Sequence, residues 1–115
     1  MSVAFEGMET VVLTFLSGST TVGFLGAMSG NNTVKNAGAG VAPVGVILNK
    51  RNGHVAVQVR GYTELKYSGT APGLGWNNLV SDGSGGLRLA ATGETGKACL
   101  VVNLNTDDKK MGLFL

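Results

Sequence analysis

From Val44 to Leu115 the chain repeats one pattern: a short β-branched or aliphatic run, then a turn that carries glycine. Val44 to Leu48 reads as a strand, Asn49 to Gly53 as a turn, and His54 to Arg60 as the antiparallel return. Asn52-Gly53 is a strong hairpin signal, because a tight turn needs positive φ at both central positions and these residues tolerate it. In the returning run Val55, Val57 and Val59 fall on one face, and His54, Gln58 and Arg60 fall on the other. That is the period-two alternation of a strand with one dry side and one side facing water or a partner. Tyr62 to Tyr67 alternates too. Leu79-Val80 and Leu87 to Ala90 flank a turn at Ser81 to Gly86, and Lys97 to Leu104 and Met111 to Leu115 flank another at Asn105 to Lys110. Turns spaced this closely predict an all-β fold: a small single-domain barrel or sandwich of short antiparallel strands, with little or no helix. No window carries a helical period, and 19 glycines oppose one.

The first third is less regular. Residues 1–10 read as an N-terminal arm open to ordering by a partner, and residues 11–115 as the single β domain. Val11 to Leu16 has little polar alternation, which predicts a strand covered on both faces. Ser17 to Thr20 reads as a turn and Thr21 to Leu25 as the next strand. Gly26 to Gly40 reads as loop, with Thr33-Val34-Lys35 at most a short strand within it. The closing Leu113-Phe114-Leu115 is apolar, so it is expected to tuck into a sheet, closing the barrel or pairing across a subunit boundary.

Charge narrows the function classes. Only 14% of the 115 residues are charged, against roughly a quarter in an ordinary domain. Two readings fit: a surface covered by a partner or by copies of the chain, or one made of Ser, Thr, Asn and Gly. The net charge of +2 is spread evenly, and Lys109-Lys110 is offset by Asp107-Asp108. With no basic stripe to track a phosphate backbone, nucleic acid is not an expected partner. No apolar stretch is long enough to span a bilayer as a helix, so no membrane partner is expected either. Met1 to Gly7 lacks a basic start and an apolar run, which predicts no leader peptide and synthesis in the cytosol.

Chemistry is sparse. Nucleophilic catalysis needs a nucleophile beside a base, and the one histidine, His54, follows a hairpin turn while the one cysteine, Cys99, sits in an apolar run. One His, one Cys and seven scattered carboxylates match no zinc or EF-hand spacing. Asp107-Asp108 reads as a solvated turn. Gly38-Ala39-Gly40 and Gly83-Ser84-Gly85-Gly86 look superficially like phosphate loops, but extended residues follow them where a dinucleotide fingerprint needs a helix. The expectation is therefore a protein that is not an enzyme, with no catalytic residues, cofactor, metal or small-molecule substrate. Trp76 sits in a loop-like setting, Leu74-Gly75-Trp76-Asn77-Asn78, where it packs in the core or anchors the loop, serves an interface, or offers a sugar-stacking platform; Tyr62 and Tyr67 share that ambiguity.

Val44 to Leu48, Val55 to Gly61, Tyr67 to Pro72 and Leu79 to Gly86 together resemble a family of small tailed-bacteriophage head proteins, the capsid decoration or cement proteins. The similarity runs from about Thr33 to Leu115, and its motifs are structural, a glycine-punctuated strand pattern. It implies a non-enzymatic protein, made in the host bacterial cytoplasm, that joins the exterior of the virion head after expansion. It further implies a homotrimer that clamps neighbouring copies of the major capsid protein against outward DNA pressure. Val3 and Phe5 in the arm, with Tyr67 and Trp76, are the nominated contacts to the capsid or between subunits. The alternative is a β-sandwich module of a tail or fibre that recognises carbohydrate through Trp76 and the tyrosines.

Overall fold

The computed structural model describes residues 10–115. The predicted arm falls almost wholly outside the described residues, and Val3 and Phe5 lie outside them. No helix occurs among the described residues; ten strands do. β1 (Val11–Ser17), β2 (Leu25–Gly30), β3 (Thr33–Asn36), β4 (Gly45–Arg51) and β5 (His54–Arg60) form a closed barrel in the order β1-β3-β2-β4-β5. β6 (Tyr62–Lys66), β7 (Gly75–Ser81), β8 (Leu87–Leu89), β9 (Lys97–Asn105) and β10 (Lys110–Phe114) form a second sheet in the order β6-β10-β9-β7-β8. That sheet curls until Tyr67, just past β6, meets Leu87 of β8 in a parallel bridge. The all-β expectation holds, as a barrel joined to a curled sheet.

Alternation sorts the side chains into two cores. Along β4, Val46 and Ile47 point opposite ways: Ile47 joins Val34, Val55 and Val57 inside the barrel, while Val46 joins Leu25, Ala27 and Ala37 on its outer wall. That wall packs against Leu65, Leu79, Leu87, Cys99, Val101, Met111 and Leu113, the concave face of the curled sheet. The larger core thus draws residues from both halves and makes them one folded body.

Two glycines are needed for the barrel to close. A Cβ at Gly45 would collide with the backbone carbonyl of Gln58 on the neighbouring strand, and one at Gly26 would press on Val34 inside the barrel. The predicted Asn49–Gly53 turn contracts to Asn52-Gly53, with φ of 52° and 78°, because β4 continues through Arg51.

Several sequence expectations are corrected. The second strand is not Thr21 to Leu25: Phe24 N–H returns to Thr21 C=O at 3.1 Å in a turn, and β2 begins at Leu25. The stretch read as loop from Gly26 holds the β2–β3 hairpin, turned at Asn31-Asn32 with Asn32 at φ 55°. β1 and β3 pair in parallel, against the antiparallel expectation, and only through Leu16 and Ser17. β1 is not covered on both faces either: among the described residues it contacts mainly its sheet neighbours β5 and β3, and Val12, Leu13 and Leu16 are 45%, 46% and 47% exposed. Gln58, on the face expected to be wet, is buried where the halves meet, its Nε2 donating to Tyr62 C=O at 3.0 Å. The last strand, β10, does not close the barrel but lies inside the second sheet between β6 and β9.

Candidate interaction surfaces

The residues with reactive side chains are built into structure. His54 is exposed, and its Nδ1 lies 3.1 Å from the Asn52 carbonyl of its own turn. Cys99 is buried in the larger core, and burial pushes its thiol pKa up, away from the reactive thiolate. Asp107 and Asp108 lie in a turn that Asn105 caps: its Oδ1 accepts both of their N–H groups at 3.1 Å. Among the described residues no three His, Cys, Asp or Glu side chains gather as metal ligands.

Two carboxylates brace the curled sheet. Asp82 Oδ2 accepts from Ser68 Oγ at 2.5 Å, and its Oδ1 accepts from the N–H groups of Ser84 at 2.7 Å and Gly86 at 3.1 Å. Partial burial works against the charge on Asp82, but these hydrogen bonds and the nearby Arg88 outweigh it and hold its pKa below the ordinary value. Glu94 receives both arms of the Arg88 guanidinium at 2.7 and 2.8 Å and the Ala91 N–H at 2.8 Å. Those hydrogen bonds, Arg88 first, bring its pKa to about 2.

Two exposed surfaces are apolar. Trp76 is not in a loop: it lies on β7, directly across from Leu100 of β9, with its side chain on the convex face of the sheet. It is 73% exposed and Leu74, two residues earlier, is 69% exposed. Asn77 Nδ2 fixes the bend before them by donating to Gly73 C=O at 2.7 Å. A large apolar pair at the entry to a strand, held by that bend, offers contact area at little cost in ordering. The second apolar surface is on β1, Val-Val-Leu-Thr-Phe-Leu-Ser, a strand without a charged residue whose Val12 and Leu16 reach solvent on the side away from the barrel core, while Leu13, on the Phe15 side, is also exposed.

The four nominated contacts therefore part company. Trp76 is on the surface, and Leu74 joins it. Tyr67 is 5% exposed and packs in the larger core, so in the single chain it offers a partner no surface. Val3 and Phe5 lie outside the described residues. The exposed face of β1 is not among those contacts, although its apolar run, broken only by Thr14, is a signal the sequence carries. No protein-family model matches the chain, and no curated protein matches its sequence.

Proposed function

We propose that this chain is a tailed-phage head decoration protein, a non-enzymatic brace that binds the exterior of the expanded capsid as a homotrimer. The observation that carries the reading is the pairing of a rigid, all-β scaffold with two uncharged apolar surfaces, the β1 stripe and the Leu74–Trp76 pair. Exposed apolar patches on a small domain mark contacts with other proteins. One surface engages neighbouring subunits of the trimer and the other the major capsid protein. A binder that recognises only the assembled, expanded lattice stabilises that lattice by mass action. Threefold symmetry multiplies modest contacts into avidity, so no single contact has to be tight. DNA pressure inside the head then has to break these contacts as well as those of the shell.

The test is co-sedimentation of the purified chain with expanded and unexpanded capsids, alongside its mass in solution. Binding to the expanded shell alone, with a trimeric mass on the shell, is the expected result; binding to neither shell ends the reading.

The exposure of Trp76 also favours a second reading, a tail or fibre module that stacks a sugar ring on the indole. Under it, Trp76→Ala abolishes glycan binding without lowering the melting temperature. A glycan array with no bound sugar removes it.

A further inference from the structure

A groove of about 420 Å³ lies between the barrel turn Val22–Phe24 and the second sheet, and Gly85 also lines it. Three successive β6 residues, Glu64, Leu65 and Lys66, line it, and Lys110 of β10 joins them. Successive strand residues point to opposite faces, so a groove touching all three meets the edge of the strand.

That edge is open. Tyr67 N–H donates to Lys109 C=O at 3.0 Å, which marks Tyr67, and with it Leu65 and Thr63, as residues bonded to the β10 side. The backbone groups of Tyr62, Glu64, Lys66 and Ser68 therefore point the other way. Three of them are in use on that side: Tyr62 C=O accepts from Gln58 Nε2, Ser68 N–H donates to Leu87 C=O at 2.9 Å, and the parallel bridge of Tyr67 to Leu87 engages Lys66 C=O. Between them, the N–H and C=O of Glu64 have no partner among the described residues.

Charge selects the occupant. Lys66 and Lys110 are directly opposite each other across β6 and β10, both exposed. Among the described residues the ion pair is Arg88–Glu94, so neither lysine has an acidic partner. Like charges in a cross-strand pair repel, and a carboxylate placed beside them removes that cost. Glu64, two residues from Lys66 on the same face, opposes a continuous polyanion such as a nucleic-acid backbone but leaves room for a single carboxylate. Val22 and half-buried Phe24 supply an apolar wall for the residue next to it.

We propose that this groove binds an extended peptide segment of a partner protein, which adds as a strand to the open edge of β6 and sets an aspartate or glutamate beside Lys66 and Lys110. Main-chain hydrogen bonds to Glu64 supply affinity, and the lysine pair supplies selectivity, the division found in strand-addition complexes. The site stands whether or not the chain decorates a capsid.

The test is an NMR titration of the ¹⁵N-labelled protein with a blocked hexapeptide of alternating valine and glutamate, beside its glutamine counterpart. The expected result is movement of the Glu64 and Lys66 amide signals, slower exchange of those amides, and binding about tenfold weaker for the glutamine peptide. Replacing both lysines, Lys66→Met with Lys110→Met, should erase that preference. Glu64→Pro removes the outward N–H without touching the β10 bonds and should weaken both peptides, whereas Glu64→Gln should not. Unmoved Glu64 and Lys66 signals at millimolar peptide overturn the proposal, as do equal binding of the two peptides and preferential binding of an oligothymidylate.

Discussion

Inside the barrel, β1–β5 bury Val34, Ile47, Val55 and Val57, a small β-branched core; the curled sheet, β6–β10, encloses the longer side chains of Leu65, Leu79, Leu87, Met111 and Leu113. The polar braces are as unequal. The sheet holds the Arg88–Glu94 fork and the Asp82 hub, whereas the barrel's side-chain links are mostly between neutral groups, such as Ser17 with Thr20 and Asn36 with Thr21. Exposed apolar residues run the other way. Val12, Leu13, Leu16, Val22, Met28, Val41 and Leu48 belong to the barrel half, and only Leu74 and Trp76 to the sheet half. The lesson is a division of labour within one shared core: the sheet half carries the charged braces, and the barrel half leaves apolar area for a partner to cover.

The largest test of this division is Leu113→Ala. Leu113 is fully buried in the core shared by both halves, and truncation there should cost about 2–5 kcal/mol. Because that core is shared, urea unfolding followed by circular dichroism and by amide exchange should remain one transition for both halves. Separate transitions would show that each half folds on a core of its own. Ile47→Val, confined to the barrel interior, should cost only about 1 kcal/mol.

Gly45→Ala should come next, at about 1–3 kcal/mol, because the new methyl meets the Gln58 carbonyl and β4 must move off β5. Amide protection should fall first in β4 and β5; a loss starting in the sheet half would contradict the account of barrel closure.

Acid should act mainly on the sheet half. Asp82 and Glu94 both have folded pKa values below their unfolded ones, Glu94 at about 2. Their contribution is therefore present above the unfolded value, near 4, and is lost as pH falls through the folded value. Asp82→Asn and Glu94→Gln should lower the melting temperature at pH 7 and flatten its decline between about pH 5 and pH 2. Variants that keep the full acid slope would show that other carboxylates carry it.

The smallest effects on folding should come from the exposed surfaces. Val12→Ser and Trp76→Ser are each expected to change stability by no more than about 0.5 kcal/mol. Under the decoration reading, the same changes should weaken capsid binding or trimer formation by about tenfold or more. Stability loss without loss of association would recast these side chains as packing residues.

The hairpins with strong local signals were legible in the sequence. His54–Arg60 emerges with the expected limits, since Val55 and Val57 alternate cleanly and Asn52-Gly53 sets the turn. β2 was not legible, because Gly26, Ser29 and Gly30 read as loop; Gly26 is there since Val34 and Ile47 leave no room for a side chain. Trp76 was misplaced for a similar reason. Leu-Gly-Trp-Asn-Asn has turn composition, yet pairing with Leu100 across β9 holds it in a strand. Of the candidate surfaces, Trp76 was visible as a residue type, while the open edge at Glu64 had no local signal at all.

The sequence alone determined the all-β class, the tightest turns and the poverty of charge, because each follows from local periodicity, backbone preference or composition. Only the tertiary structure decided which strands close the barrel, that Tyr67 faces inward while Trp76 faces out, and that Lys66 and Lys110 stand together. These depend on pairing between residues far apart in the chain, and a strand's own pattern names its two faces without saying which neighbour covers either one.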